Sequence, residues 1–123
     1  MMDELYQEFI IELYKNPLNF GKLEGADYHA VLQNSTCGDT VELFIKVNGG
    51  VVSEAKFTGK GCAISQASAS LFTGYLKGKD AASLPGMKKD EALALLKIDL
   101  TKNPSRMRCA LLPFEAMKKA LKG

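Results

Sequence analysis

Cysteine is scarce in this chain, and its three copies cannot pair off completely. That excludes a full disulfide framework, which a chain of 123 residues with 46% apolar side chains does not need to hold a core. Tryptophan is missing, and histidine occurs once, at His29. His29 reads as a surface or structural residue on a strand rather than a ligand, and a Cys–His hydrolase lacks the orienting partner it would need. An excess of one charge is missing too, since 16 basic and 14 acidic side chains leave a formal charge of +2, with both signs scattered along the chain. Nothing in that balance calls for nucleic acid or an anionic membrane surface. No apolar run approaches the roughly 18 residues of a membrane span, and the acidic start Met1-Met2-Asp3-Glu4 does not have the pattern of a signal peptide. The expectation is a single domain over residues 1–123, soluble and cytoplasmic, with neither nucleic acid nor membrane as partner.

What is present is periodic. Leu5, Phe9, Ile10, Leu13 and Tyr14 recur at three- and four-residue intervals between Asp3 and Lys15, which predicts an amphipathic helix with these five on one stripe. Asn16-Pro17 ends it. Residues 18–27, with Gly21 and Gly25, read as a loop lying on the core. Residues 28–34 read as a strand, and Val41, Leu43, Ile45 and Val47 alternate with Glu42, Phe44, Lys46 and Asn48 at the strand period of two. Asn48-Gly49-Gly50 then reverses the chain into a third strand over residues 51–58. Helices are expected over residues 62–76, 90–98 and a C-terminal stretch ending near Leu121, with Leu84-Pro85-Gly86 as the break between the first two. The fold class is α+β: a three-stranded antiparallel sheet with helices packed on one face, flanked by the N-terminal and C-terminal helices.

The cysteines fall at the junctions of these elements. Cys37 sits in the turn between the first two strands, beside Gly38 and two residues before Asp39. Cys62 opens a helix rich in small residues, which permits close approach to a sheet or a partner, and the partial positive charge of a helix start favours thiolate. Pro113 cannot donate a hydrogen bond to the carbonyl of Cys109, and proline is tolerated in a first turn. Cys109 is therefore expected at or just before the start of the C-terminal helix, where Arg106 and Arg108 also favour thiolate. Three thiolates and one carboxylate make four ligands, the number a tetrahedral zinc or a two-iron cluster takes. Without any C-x-x-C pair, spacing alone leaves a metal site and buried structural cysteines both open.

Four motifs resemble those of the U-type iron–sulfur scaffold proteins, namely IscU, SufU and the N-terminal domain of NifU. They are Asn16-Pro17-Leu18-Asn19-Phe20-Gly21, Cys37-Gly38-Asp39, the run from Gly61-Cys62-Ala63 to Ser70, and Arg106-Met107-Arg108-Cys109, in the family's order and across nearly the whole chain. The resemblance implies a platform on which a [2Fe–2S] cluster is built from iron and desulfurase-derived sulfur and handed to acceptor apoproteins. It implies Cys37, Asp39, Cys62 and Cys109 as ligands, Cys109 as persulfide acceptor, and a cysteine desulfurase and acceptor iron–sulfur proteins as partners. The chain is expected to work as a monomer or weak homo-oligomer, and as a carrier rather than an enzyme.

Three features depart from the family pattern. Arg108 stands where IscU proteins usually place histidine, which looks more like SufU. Yet the 47-position step from Cys62 to Cys109 is too short for the insertion of about twenty residues, long for a loop, that SufU members carry. Thr101-Lys102-Asn103-Pro104-Ser105 replaces the Leu-Pro-Pro-Val-Lys motif through which IscU proteins meet their chaperone. The alternative to the scaffold is a zinc-dependent sulfurtransferase taking persulfide sulfur from the desulfurase. Lys60 reads as a loop charge, and Tyr6 as a packing or partner residue outside the site.

Overall fold

Strands occupy the segments patterned with a period of two. A computed structural model describes residues 4–34, 38–96 and 103–122, with side chains from residue 8 onward, and places β1 at Tyr28–Asn34, β2 at Asp39–Asn48 and β3 at Val51–Lys60. They form one antiparallel sheet in the order β1-β2-β3. Val41, Leu43 and Ile45 of β2 and Val52, Ala55 and Phe57 of β3 enter the main core. Phe44, which interrupts the polar side of β2, is covered by the ring of His29 at 4.9 Å between centroids.

Among the described residues four α-helices join the sheet: α1 at Glu4–Lys15, α2 at Ala63–Leu76, α3 at Lys89–Ala94 and α4 at Pro104–Lys122. Helices α2 and α4 pack on the sheet and on each other, and α1 packs on α2. The main core closes where Phe72 of α2 meets Phe114 of α4 edge to face, 6.4 Å apart. A second, smaller cluster joins α1, α2 and α4 through Ile10, Leu13, Ile64, Ala67, Leu96, Cys109 and Ala110. The loop over residues 18–27 is tied along β3, with the Phe57 N–H donating to the Asn19 carbonyl at 3.0 Å and the Gly21 N–H to the Phe57 carbonyl at 2.8 Å. Among the described residues no helix is long and apolar enough to cross a membrane.

Several expectations need correction. The α1 stripe is narrower than its spacing suggests: Ile10 and Leu13 are buried, while Phe9 and Tyr14 are 46% and 49% exposed. Helix α1 packs mainly on α2, which covers one line of its residues. Strand β2 begins at Asp39, two residues before Val41, because Asn34 and Asp39 already pair across the first hairpin. Helix α3 is shorter than residues 90–98, and a 3₁₀ turn at Ala81–Gly86 fills the break before it; residues 97–102 lie outside the described residues.

The largest correction concerns Cys109, which lies in the second turn of α4 rather than at its start. Asn103 caps this helix: its Oδ1 accepts the Arg106 N–H at 3.2 Å and its carbonyl the Met107 N–H at 3.0 Å. Pro104 is therefore the first-turn proline. Pro113 is a buried proline inside the helix, where it withholds one N–H without ending it.

Candidate metal centre

The register of the sheet assembles the site. Gly38, at φ +73°, supplies the left-handed turn before β2, and its N–H donates to the Asn34 carbonyl at 2.8 Å. This fixes Asp39 as the first residue of β2. Its neighbour Thr40 pairs with Lys60, the last residue of β3. The chain leaving β3 through Gly61 and Cys62 must therefore emerge beside Asp39.

Cys62 is the N-cap of α2, in extended conformation at φ −72° and ψ 169°, and its own side chain caps nothing. The capping oxygen comes from the strand instead. Asp39 Oδ1 accepts the Cys62 N–H at 3.2 Å, and Asp39 Oδ2 lies 3.7 Å from Cys62 Sγ. Ser65 Oγ donates to the Cys62 carbonyl at 3.1 Å. A side chain at Gly61 would fill this space, since a Cβ there would come within 2.4 Å of Ser65 Oγ and 2.8 Å of Asp39 Oδ1. Helix α4 brings the third group, held to α2 where Ser68 Oγ donates to the Ala110 carbonyl at 2.5 Å. One carboxylate oxygen of Asp39 and the sulfurs of Cys62 and Cys109 then all lie within 4.8 Å of one another.

That donor set fits a metal ion. A tetrahedral zinc takes thiolates at about 2.3 Å and oxygen at about 2.1 Å, so its ligand atoms stand about 3.5 Å apart. The three atoms need to draw in by only about an ångström. Two soft sulfurs with one hard oxygen suit zinc or iron better than magnesium or calcium. Access differs sharply across the group: Cys62 is exposed, whereas Cys109 is 4% and Asp39 3% exposed.

Of the residues expected at the site, the structure brings together Asp39, Cys62 and Cys109. Cys37 lies outside the described residues. Arg106 and Arg108 are exposed on the first two turns of α4. His29 stays on the open face of the sheet, with Nε2 at 2.5 Å from Glu42 Oε2. Gly61 and Ser65 were not singled out by sequence reasoning. Both lie in the motif over residues 61–70, whose small residues marked a close approach without showing what approaches.

Residues 5–123 match the family described as NifU-like N terminal domain. The chain belongs to that family. It is 37% identical to the zinc-dependent sulfurtransferase SufU of Bacillus subtilis (strain 168), an alignment that covers 98% of this chain and 91% of that protein. It is 36% identical to the iron-sulfur cluster assembly scaffold protein IscU of Thermotoga maritima, over 96% of this chain and 93% of the relative. The crystal structure of a nitrogen-fixing NifU-like protein (N-terminal) from Brucella abortus matches 98% of this chain and 94% of that one with a TM-score of 0.78. At 24% identity that likeness speaks for the fold. This NifU-like chain thus has relatives named for two chemistries.

Proposed function

We propose that this chain is a scaffold on which iron and desulfurase-derived sulfur are assembled into a [2Fe–2S] cluster, its cargo, for transfer to acceptor apoproteins in the cytoplasm. The ligands in this reading are Cys37, Asp39, Cys62 and Cys109, with Cys109 carrying the persulfide sulfur. One observation supports it most: a carboxylate, 3% exposed, is fixed among cysteine sulfurs. Thiolates hold a cluster firmly, and an oxygen donor is the harder, weaker link. A site for permanent storage would be better served by a fourth sulfur. The partners this requires are a cysteine desulfurase and apo-proteins that accept the cluster.

The test is anaerobic reconstitution with iron, L-cysteine and a cysteine desulfurase, followed by transfer to an apo-ferredoxin. A two-iron absorption spectrum that appears on the scaffold and moves to the acceptor is expected. In Asp39→Ala the cluster should form and leave several-fold more slowly. Absence of both the spectrum and the transfer would end this reading.

A second reading, the zinc-dependent sulfurtransferase, is favoured by the compactness of the donor group. Three ligand atoms within 4.8 Å suit one ion, and a relative 37% identical carries that name. Zinc bound by the same residues would be a resident ion, holding the thiolates until sulfur arrives. Desulfurase turnover decides between them: zinc-loaded protein should stimulate it over metal-free protein, and equal rates would eliminate the second reading.

A further inference from the structure

The two described cysteines of the site are not equivalent to an incoming sulfur donor. Cys62 stands at the N-cap of α2 and is exposed. Cys109 is 4% exposed and belongs to the apolar cluster of Ile10, Leu13, Ile64, Ala67 and Leu96. A persulfide carried on another protein must bring its outer sulfur into bonding distance of the accepting thiolate, in line with the bond that breaks. Of the two, Cys62 is the one open to solvent. At Cys109, 4% exposed, the side chains packed around the thiol stand in the way. Yet the two sulfurs are within 4.8 Å of each other, a gap that a single added sulfur atom spans.

We infer that sulfur enters this chain at Cys62 and passes from there to Cys109, so that Cys62 is a relay as well as a ligand. The inference rests on the sulfur-accepting reading given above and holds for either metal. In the first step the Cys62 thiolate attacks the outer sulfur of the donor persulfide, and the donor thiolate leaves. In the second the Cys109 thiolate attacks that same outer sulfur, the bond to Cys62 breaks, and the Cys62 thiolate is restored. Each step exchanges one S–S bond for another, so no electrons enter or leave and no reductant is consumed. Burial gives the second step a purpose. A persulfide on exposed Cys62 is open to attack by any small thiol, whereas one inside the apolar cluster is shielded from that side reaction.

The experiment follows the extra sulfur by peptide mass spectrometry after timed alkylation of the metal-free, full-length protein. Two donors are used separately: glutathione persulfide, and a cysteine desulfurase with L-cysteine. In the unmodified chain the added sulfur should appear first on Cys62 and then on Cys109. In Cys109→Ser it should accumulate on Cys62, and in Cys62→Ser labelling of Cys109 should slow by about tenfold or more, because rates of exchange follow access. Labelling of Cys109 at the original rate in a Cys62→Ser variant shown folded by circular dichroism would overturn the relay, as would first appearance of the added sulfur on Cys37 in the unmodified chain. If Cys62→Ser does not fold, Cys109→Ser decides, and an unlabelled Cys62 there overturns the proposal. Ordered transfer from glutathione persulfide without labelling by the desulfurase would uphold the relay while removing the desulfurase from the proposed function. No labelling from either donor would remove both.

Discussion

The sheet core and the small cluster around Cys109 are both closed to water, but they are made of different materials. Phe57, Phe72, Leu43, Ile45, Leu76 and Met117 fill the first. In the second, small side chains at Ala67, Ala110 and Cys109 stand between the helices, and among the described side chains of α1 Ile10 and Leu13 reach in. Burial stabilises roughly in proportion to apolar area, at about 25 cal/mol per Å², so large side chains make the frame and small ones contribute little. What the small residues permit is close approach, and close approach is what places three donor atoms within 4.8 Å. The frame is strong where it is remote from the chemistry. Beside the site, area has been given up for proximity.

Paired substitutions give the largest effect and can break this contrast. Phe72 is 1% exposed and packs on Phe114, so Phe72→Ala should cost about 3–5 kcal/mol. Ile10→Ala should cost about 2 kcal/mol, the low end for such a truncation, because α1 packs mainly on α2 and can shift to fill the space. Urea unfolding followed by circular dichroism measures both. Equal losses would mean that the small cluster is as much a part of the frame as the sheet core, and the contrast would fail.

The contrast sharpens at Gly61, where stability and position can be separated. A Cβ there falls on Ser65 Oγ and on the Asp39 carboxylate, so Gly61→Ala should cost about 1–3 kcal/mol as overpacking. It should also weaken zinc binding by about tenfold, as substitutions that disturb the orientation of a ligand do. Competition against a chromophoric chelator reads the affinity, and urea unfolding the stability. Unchanged affinity with lowered stability would show that Asp39 keeps its place without the vacancy at Gly61.

The periodic elements could be read from the chain because each is decided locally. Alternation at Val41, Leu43 and Ile45 and the turn at Asn48-Gly49-Gly50 specify a hairpin whatever lies around it. Asp39 was legible as a candidate ligand through its place two residues after Cys37 and through the Cys37-Gly38-Asp39 motif. Its second task, accepting the Cys62 N–H at the start of α2, joins residues 23 positions apart and depends on register, which no local pattern carries. Cys109 shows the opposite failure. Pro104 and Pro113 both satisfy the rule for a first-turn proline, and the choice between them lay in the cap at Asn103, a weaker signal than a proline. The exposure of Phe9 and Tyr14 was hidden for a related reason: spacing defines a stripe, and only the neighbouring helix defines how much of it is covered.

The smallest effect lies on the open face of the sheet, where neither core reaches. Hydrogen bonding to His29 is the main reason that the Glu42 carboxyl is held below its ordinary value; desolvation, the next influence in size, opposes it, and the Thr58 hydroxyl and the charges of His29 and Lys22 add to the lowering. A carboxyl whose folded value is depressed adds stability above its unfolded value, about 4.3 for glutamate, and that stability is lost as the pH falls through the lower, folded one. For a pair this exposed it should stay below about 1 kcal/mol. Removing the imidazole in His29→Gln should raise the Glu42 midpoint toward the ordinary value, seen by carboxyl NMR titration. The rise should be incomplete, because Thr58 still donates to Glu42 Oε1 at 3.1 Å. The stability difference between the two proteins should close in acid, once Glu42 is protonated in both. A midpoint that does not move would show that Thr58 and Lys22 hold this carboxylate, leaving His29 with only its stacking on Phe44.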